Sequence, residues 1–246
     1  MIKLSVNVNK VATIRNSRGG SVPSVIDAVS VCVAGGAPGI TVHPRADARH
    51  ITFRDVREIS AKLRDEAKGV EFNIEGDPRP DLLALVHEVK PDQCTLVPVK
   101  AGEITSQAGW PPATPRAALQ STVKALQRDG IRVSIFVDPE PAAVEWAGAL
   151  GADRIELYTE PFARSYAAGG TARQSSFDRY AAAANLARSV GLGVNAGHDL
   201  DLDNLTLFRT LPHLDEVSIG HALISHALYV GLERAVKDYL SAVAGA

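Results

Sequence analysis

Residues 39–51, GITVHPRADARHI, join a short apolar run to a polar and cationic segment. Ile40, Thr41 and Val42 are typical of a buried strand, and the apolar run then stops. Two histidines and two arginines follow within eight positions, at residues 43, 45, 49 and 50. A strand whose carboxyl end delivers these side chains is suited to holding an anion and to moving protons, and is poorly suited to packing in a core.

The succession of a strand and a helix recurs along the whole chain. We count eight β-rich runs, and a segment with helical spacing follows each one. Most of the runs are short, β-branched and apolar, as expected for parallel strands that are covered on both faces. Eight such units in 246 residues predict an α/β fold, with a single (β/α)8 TIM barrel domain over residues 1–246. An open doubly wound sheet is the alternative, but no G-x-G-x-x-G follows the first strand.

Four segments are harder to assign. Residues 10–20, KVATIRNSRGG, are basic and end in two glycines, which predicts a loop. Residues 100–112, KAGEITSQAGWPP, have no period, which predicts a long loop after the fourth strand. Residues 162–175 are predicted to form an irregular insertion, and residues 222–240 are predicted to form one last helix.

Composition and charge argue against several classes of protein. The net charge of -2 and the pI of about 6.4 give no electrostatic signature of a nucleic-acid-binding protein. No apolar run is long enough to span a membrane and no signal-like segment is present at the N-terminus, so we expect a cytoplasmic protein without a membrane partner. Cys32 and Cys94 lie in apolar runs, which favours buried free thiols over a disulfide.

In a barrel of this kind the active site lies at the carboxyl ends of the strands. Seven of the eight predicted strands end in, or lead to, polar side chains: Asn7, Asn9, Lys10, Arg15, Arg18, His43, Arg45, His50, Asn73, Glu75, Lys100, Thr105, Glu156, Tyr158, Thr159, Asn195, His198 and His221. Four of the seven histidines are in this set. Since the pole of a barrel is small, four histidines there favour a shared functional role.

Three of these positions need separate comment. Glu75 ends a buried strand, so we expect burial to raise the pKa of its carboxyl group into a range suited to proton transfer. Glu156 is either a site residue or a group that orients a neighbouring base. Arg15 is expected at the surface, whereas an arginine beside Gly19-Gly20, Arg18, is better placed to meet a ligand.

Two separate anion sites are predicted. Gly220 and His221 immediately precede the last helix, whose free N–H groups and dipole favour a phosphate. The turn from Gly197 to Asp199 follows strand seven in a similar way. Arg45 and His50 form a second cationic locus on another strand. Together they predict two phosphorylated substrates, or one doubly phosphorylated substrate.

Stretches spread over essentially the whole chain resemble the pyridoxine 5′-phosphate synthase family of vitamin B6 biosynthesis. They are VNVNKVATIRNSRGG, GITVHPRADARHIT, FNIE, TLVP…EITS, VSIFVD, GLGVNAGH and IGHALI. The resemblance implies a (β/α)8 barrel with a few extra helices, a homo-octamer in the cytoplasm, and no metal or organic cofactor. It implies condensation of 1-deoxy-D-xylulose 5-phosphate, a pentulose phosphate, with 3-amino-2-oxopropyl phosphate, an amino-ketone phosphate. The products are pyridoxine 5′-phosphate, inorganic phosphate and water.

The resemblance also implies roles for individual residues. The catalytic bases fall on His43 and Glu75, and the proton donor falls on His198. The contacts to the amino-ketone phosphate fall on Asn7, Arg18, Asp199, Gly220 and His221. The contacts to the pentulose phosphate fall on Arg45, His50 and Thr105. Residues 100–112 match a segment that closes over the site.

The chain departs from the family pattern at two places. Many members carry Asp-His where this chain has Asn9-Lys10, so Lys10 faces the substrate as a fixed cation, without a proton-accepting role. We include both residues in the predicted substrate site. Many members carry Gly at position 199, where a carboxylate repels a phosphate unless it turns away to cap the next helix.

Three other functions remain open at this point. One is an aldolase-like enzyme that forms a Schiff base on Lys10 or Lys100. Another is a metal-dependent hydrolase with His43, Glu75 and two further histidines as ligands. The third is a phosphate-ligand-binding barrel that is non-catalytic or has an altered specificity.

Overall fold

A computed structural model of the chain describes residues 1–99 and 106–245. Within these ranges there are eight strands and eleven helices. The strands are β1 Lys3–Asn7, β2 Gly39–Val42, β3 Glu71–Gly76, β4 Gln93–Leu96, β5 Arg132–Val137, β6 Arg154–Tyr158, β7 Gly193–Gly197 and β8 Leu214–Ile219. The helices are α1 Asn9–Asn16, α2 Val25–Ala34, α3 Phe53–Glu66, α4 Pro80–Val89, α5 Arg116–Arg128, α6 Pro141–Ala149, α7 Glu160–Ala168, α8 Gly170–Ser189, α9 Leu205–Phe208, α10 His221–Val230 and α11 Leu232–Ala244.

The strands form a closed parallel barrel in sequence order. β8 pairs with β1 in parallel, with Leu4 beside Val217 and Val6 beside Ile219, and this pairing closes the sheet. The predicted (β/α)8 barrel is therefore confirmed, and the open doubly wound sheet is wrong. Because all eight strands are parallel, their carboxyl ends meet at one pole of the barrel.

The prediction that the strands are apolar on both faces is wrong for the inner face. Outward-facing residues such as Val6, Ile40 and Ile74 are fully buried against the helices. The residues between them line the lumen and are polar: Ser5 Oγ lies 2.6 Å from Thr41 Oγ1. Side-chain hydrogen bonds cross the lumen, and they connect strands that are not neighbours in the sheet, as from β4 to β8. The strands thus alternate with a period of two, and the polar face points inward.

Three of the predictions for helices and loops are corrected. Most of the predicted basic loop at residues 10–20 forms α1, because Val11 and Ala12 give the segment a buried face. The predicted insertion at residues 162–175 is α7 and the start of α8, and Phe162 packs 4.8 Å from the Phe208 ring. The single predicted last helix is split into α10 and α11 at Gly231, whose φ of +85° is incompatible with a continuing helix. The extra helices agree with the barrel that the resemblance implies.

Both cysteines are buried and free, as predicted. None of the helices in the described part of the chain is both long and apolar enough to span a membrane.

Candidate active site

His43 and Glu75 lie side by side at the carboxyl pole of the barrel. β2 delivers His43 and β3 delivers Glu75, and the imidazole Nδ1 lies 3.9 Å from Glu75 Oε2. Two further strands contribute polar contacts to the same carboxyl group. Asn7 Nδ2 donates to Glu75 Oε2 at 3.5 Å, and Ser218 Oγ donates to Glu75 Oε1 at 3.5 Å. The sequence prediction that the strand ends converge is confirmed for these two catalytic candidates.

Burial controls the protonation of Glu75. The residue is 7% exposed, and burial raises the pKa of its carboxyl group to about 8, with the charge of Glu216 adding to the rise. The Ser218 hydroxyl opposes the rise by donating to the ionised form. A carboxyl group with such a pKa is protonated for most of the time at pH 7, and it can both give and accept a proton near neutrality.

His43 is held as a neutral imidazole. Burial lowers its pKa well below 6.5, and the nearby His50, Arg45, His198 and Arg79 oppose a further positive charge. The ring atom Nε2 is buried and has no hydrogen-bond partner within residues 1–99 and 106–245. A neutral imidazole with an unpaired nitrogen is available to accept a proton from a bound substrate.

The Asn9 side chain orients His43. Asn9 Oδ1 accepts the backbone N–H of His43 at 2.9 Å, and the Asn9 N–H donates to Asn7 Oδ1 at 3.0 Å. The first turn of α1 is thereby joined to the ends of β1 and β2. Lys10, the next residue, is exposed, and its charge lowers the pKa of both His50 and His198. Its ammonium group is therefore close enough to influence both histidines.

The predicted pentulose phosphate locus lies on the segment that follows β2. Arg45 is buried, with its Nε 3.5 Å from the Asp47 carboxylate. His50 Nδ1 accepts the backbone N–H of Ile51 at 3.0 Å, which leaves the ring proton on Nε2. Burial and the charge of Arg45 lower the pKa of His50 to about 4, so its ring is neutral near pH 7. Thr105, the third predicted contact, lies outside the described residues.

His198 directly follows β7 and packs in a cluster with two aromatic rings. The centre of its ring lies 5.1 Å from that of Phe136 and 5.4 Å from that of Tyr158. Burial of the ring lowers its pKa to about 4, opposed by the charge of Asp199. Tyr158 is among the polar side chains predicted at the strand ends, whereas Phe136 is not among the predicted site residues. The alternation along β5 would identify Phe136, because its ring faces inward near the end of the strand.

The turn after β7 has an unusual backbone. His198 and Asp199 both have positive φ, at +80° and +58°. Asp199 is exposed, and its carboxylate does not cap the next helix. The carboxylate of Asp201 accepts the backbone N–H groups of Asp203 and Asn204 instead, at 3.0 and 2.8 Å.

The predicted phosphate turn after β8 is present. Gly220 packs so closely against Asn7 that an added Cβ would lie 3.1 Å from the Asn7 Cβ. α10 begins at His221, and the first N–H to bond back to the turn is that of Ile224, 3.0 Å from the Gly220 carbonyl. The N–H groups before it are the free donors that a helix offers an anion.

The two arginines after β1 differ in burial, and the expectation that Arg15 lies at the surface is wrong. Arg18 is exposed beyond α1, and no side-chain hydrogen bond or ion pair connects it to the pole in the part of the chain that the structure describes. Arg15, expected at the surface, is 13% exposed in its side chain and pairs with Asp55.

The lumen below the pole holds two further buried glutamates, Glu156 and Glu216. Burial raises the pKa of both carboxyl groups, and that of Glu156 is raised further by the charge of Glu75. Gly197 is required beside Glu156, since an added Cβ would lie 2.3 Å from Glu156 Oε1. Glu156 thus lies close enough to Glu75 for their charges to interact, and it has no hydrogen bond to the histidines within the described ranges.

The chain returns from the predicted long loop across the ends of β4 and β5. Trp110 Nε1 donates to the Leu96 carbonyl at 2.9 Å, and the Trp110 N–H donates to the Phe136 carbonyl at 2.9 Å. Gly109 crosses β5 where an added Cβ would lie 2.3 Å from the Val137 Cα. Residues 106–112 contain no helix or strand, as predicted, and residues 100–105 lie outside the described part.

The predicted metal ligands do not assemble as a metal centre. Among residues 1–99 and 106–245, no group of three or more His, Cys, Asp or Glu side chains is arranged to hold a metal ion. The geometry of His43, Glu75, His198 and His221 therefore does not favour the metal-dependent hydrolase.

Comparisons with known proteins agree with the fold and show the family. A family model described as "Pyridoxal phosphate biosynthesis protein PdxJ" matches residues 4–245. The chain is 50% identical over 241 residues to proteins named pyridoxine 5′-phosphate synthase from Cytophaga hutchinsonii and Flavobacterium johnsoniae, covering 98% of each chain. The relative of the same name from Leptospira biflexa is 49% identical over 250 residues.

Solved structures share the fold at low identity. Thiamine phosphate pyrophosphorylase from Pyrococcus furiosus matches with a TM-score of 0.65 and 16% identity, over 99% of this chain and 96% of that one. 3-Keto-L-gulonate-6-phosphate decarboxylase from Vibrio cholerae matches with a TM-score of 0.65 and 12% identity, over 99% and 98%. These two likenesses concern the barrel alone. The family match and the relatives at about half identity over nearly the whole length decide the assignment, and the chain belongs to the PdxJ family of pyridoxal phosphate biosynthesis proteins.

Proposed function

We propose that the chain is a pyridoxine 5′-phosphate synthase that condenses 1-deoxy-D-xylulose 5-phosphate with 3-amino-2-oxopropyl phosphate. One observation carries the proposal: His43, Glu75 and His198 lie at one pole of the barrel, where a cationic segment follows β2 and a helix N-terminus follows β8. The names of the relatives add the identity of the product.

The reaction makes a particular demand on the site. Joining an amine to a ketone, releasing phosphate and water, and aromatising the ring requires proton transfers at several atoms. A single fixed acid and base do not reach all of these atoms, whereas three groups around one cavity do. Glu75, with a pKa of about 8, exchanges a proton near neutrality, and His43 accepts one at its unpaired Nε2.

His198 is the proposed proton donor. Its pKa of about 4 describes the site without substrate, in which Lys10 also opposes protonation. A phosphate bound beside the ring introduces negative charge, and such a charge raises the pKa of an imidazole. Substrate binding therefore prepares His198 to carry the proton that it donates.

The two phosphates are assigned to the segments that follow β2 and β8, the two strands that flank β1. Arg45 and the Nε2–H of His50 hold the pentulose phosphate, together with Thr105. The free N–H groups at Gly220 and His221, with Asn7 and the backbone N–H of Asp199, hold the amino-ketone phosphate, and the exposed Arg18 is assigned to the same phosphate from the family resemblance alone. Asn9 holds His43 by its N–H, and Lys10 faces both substrates as a fixed cation. This arrangement keeps the two phosphates apart while the reacting carbons meet over Glu75.

Substitution at the pole tests the assignment of roles. We expect Glu75→Gln and His198→Asn each to abolish turnover while the circular dichroism spectrum is unchanged, because both variants keep the shape and lose the transferable proton. Glu145→Gln on the exposed face of α6 is the matched control. Wild-type rates in either pole variant would overturn the roles given to these residues.

We also propose a single domain over residues 1–246, a cytoplasmic location and homo-octameric assembly. The closed sheet draws on strands from residue 3 to residue 219, which supports one domain. Apolar surface for assembly is present on α10, where Leu228 is 70% and Tyr229 is 89% exposed. Leu223 and Ile224 on the same helix are buried against the barrel and are not available for assembly.

A further inference from the structure

The segment from residue 43 to residue 52 contains no helix or strand, although it carries Arg45 and His50. Its shape therefore depends on contacts with other elements. A phosphate held by two side chains on such a segment is bound well only if the segment is fixed before the ligand arrives, because ordering it on binding would reduce the affinity.

The side chains of the last two residues of α1 both donate hydrogen bonds to one backbone carbonyl oxygen of this segment. Asn16 Nδ2 donates to the His50 carbonyl at 2.8 Å, and Arg15 Nη2 donates to the same oxygen at 3.3 Å. Asn16 Nδ2 also lies 3.4 Å from the Ala48 carbonyl, and the Arg15 Nε donates to Asn16 Oδ1 at 3.0 Å. The two side chains thus form one unit that holds the carbonyl of a predicted phosphate ligand.

A buried carboxylate fixes Arg15 in turn. Arg15 Nη1 lies 2.5 Å from Asp55 Oδ1 and Nη2 lies 2.9 Å from Asp55 Oδ2, and the side chains are only 13% and 7% exposed. Asp55 Oδ2 also accepts the N–H and the hydroxyl of Thr52, at 2.7 and 2.8 Å, in the capping box of α3. The end of α1, the segment and the start of α3 are therefore joined through one ion pair.

The position of this ion pair indicates a purpose beyond stability. Desolvating two charges offsets much of their attraction, so a buried pair is a weak stabiliser. Arg57 on α3 and Glu88 on α4 form a bidentate pair at 2.7 Å with side chains that are 49% and 53% exposed. Within the described ranges that pair makes no hydrogen bond or ion pair with residues 43–52, so it provides a natural comparison.

We propose that Arg15 and Asn16 are positioning residues for the pentulose phosphate locus. They hold the His50 carbonyl and thereby fix the direction in which His50 and Arg45 meet the phosphate. The inference rests on the proposed function and extends it to two residues that touch no substrate. Lysine cannot replace Arg15, because an ammonium group lacks the planar fork that reaches Asp55 and His50 together.

The test compares Arg15→Lys and Asn16→Ala with Arg57→Ala. For each protein one measures KM for each substrate, kcat and the melting temperature. Loss of one or two hydrogen bonds predicts a rise of about fivefold to tenfold in KM for 1-deoxy-D-xylulose 5-phosphate. The KM for 3-amino-2-oxopropyl phosphate and kcat should stay within about twofold, and Arg57→Ala should match the wild type in all three.

Two results would overturn the proposal. One is an unchanged KM for the pentulose phosphate in both α1 variants, and the other is an equal rise for both substrates that follows the loss of melting temperature. Asn16→Ala keeps the buried ion pair, so it remains informative if Arg15→Lys fails to fold.

The proposed function can fail separately. If the wild type forms no product, the same variants are compared by calorimetric binding of 1-deoxy-D-xylulose 5-phosphate alone. Weaker binding in the α1 variants would support positioning without synthase activity. Absence of binding to the wild type would overturn both.

Discussion

Replacing Glu75 by glutamine should make the protein more stable at alkaline pH. The carboxyl group has a pKa of about 8 in the folded protein, against a usual value of 4.5. Between these values the folded state binds the proton that the unfolded state has released. Stability is therefore greatest below pH 4.5 and is lost as the pH rises through 8, since the free energy of unfolding falls where the folded state holds more protons.

The size of the effect follows from the two pKa values. Each unit of pKa difference corresponds to about 1.4 kcal/mol, so the separation predicts a cost of roughly 3 kcal/mol at pH 7 and about 5 kcal/mol at pH 9. Glutamine has the same shape and does not ionise, so its variant escapes this cost. It keeps a carbonyl oxygen that can accept from Ser218 or Asn7.

Urea unfolding of the wild type and the variant between pH 5 and pH 9 measures the difference. We expect the advantage of Glu75→Gln to grow by several kcal/mol across this range, and Glu145→Gln to run parallel to the wild type. Parallel curves for the wild type and Glu75→Gln would refute the reasoning, because they would mean that Glu75 titrates normally and is not tuned for proton exchange.

Three further predictions concern the site. If ionised Glu75 is the base, kcat/KM should rise with pH through about 8 in the wild type, because His43 and His198 are already neutral there, and a flat profile would contradict this role. Arg45→Ala should raise KM for the pentulose phosphate about 10- to 100-fold and that for the amino-ketone phosphate far less; equal losses would mean that the two phosphate sites are wrongly assigned. Asp199→Gly should lower KM for the amino-ketone phosphate several-fold without loss of stability, since it removes a carboxylate and about 1 kcal/mol of left-handed strain. Asp201→Gly removes the carboxylate that accepts two backbone N–H groups in the turn, so this variant should have the lower melting temperature. A lower melting temperature for Asp199→Gly than for Asp201→Gly would contradict this assignment.

The barrel and the proximity of His43 and Glu75 follow from local sequence patterns. The strand at residues 39–42 and its polar continuation are sufficient to place His43 at a carboxyl end, and FNIE places Glu75 there in the same way. In a closed parallel barrel, His43 and Glu75 both lie at the carboxyl pole. Their proximity is therefore predictable without knowledge of long-range contacts. Short strands, turn glycines and helix caps are the local signals that predict this part of the fold.

Long-range contacts were not predictable in the same way. No residue near Arg15 in the sequence indicates that it pairs with Asp55, which is forty positions away. Asp55 lies in a run of charged residues whose helical spacing is typical of an exposed helix face. The polar lumen is not predicted from the sequence, because the short strands are recognised by their apolar residues. In the barrel the polar residues of each alternation face the lumen. Helix α1 is not predicted either, because the two glycines and several cations in residues 10–20 indicate a loop. The buried face of this helix is small and consists of Val11 and Ala12.

The most direct test of the whole account is product formation by the isolated chain. Purified protein, treated with a chelator, is mixed with 1-deoxy-D-xylulose 5-phosphate and 3-amino-2-oxopropyl phosphate, and the mixture is followed by absorbance and mass. We expect pyridoxine 5′-phosphate with one equivalent of inorganic phosphate, and no product when either substrate is omitted. Binding of both phosphates without product would contradict it, and would turn attention to Asn9 and Lys10 as the first cause.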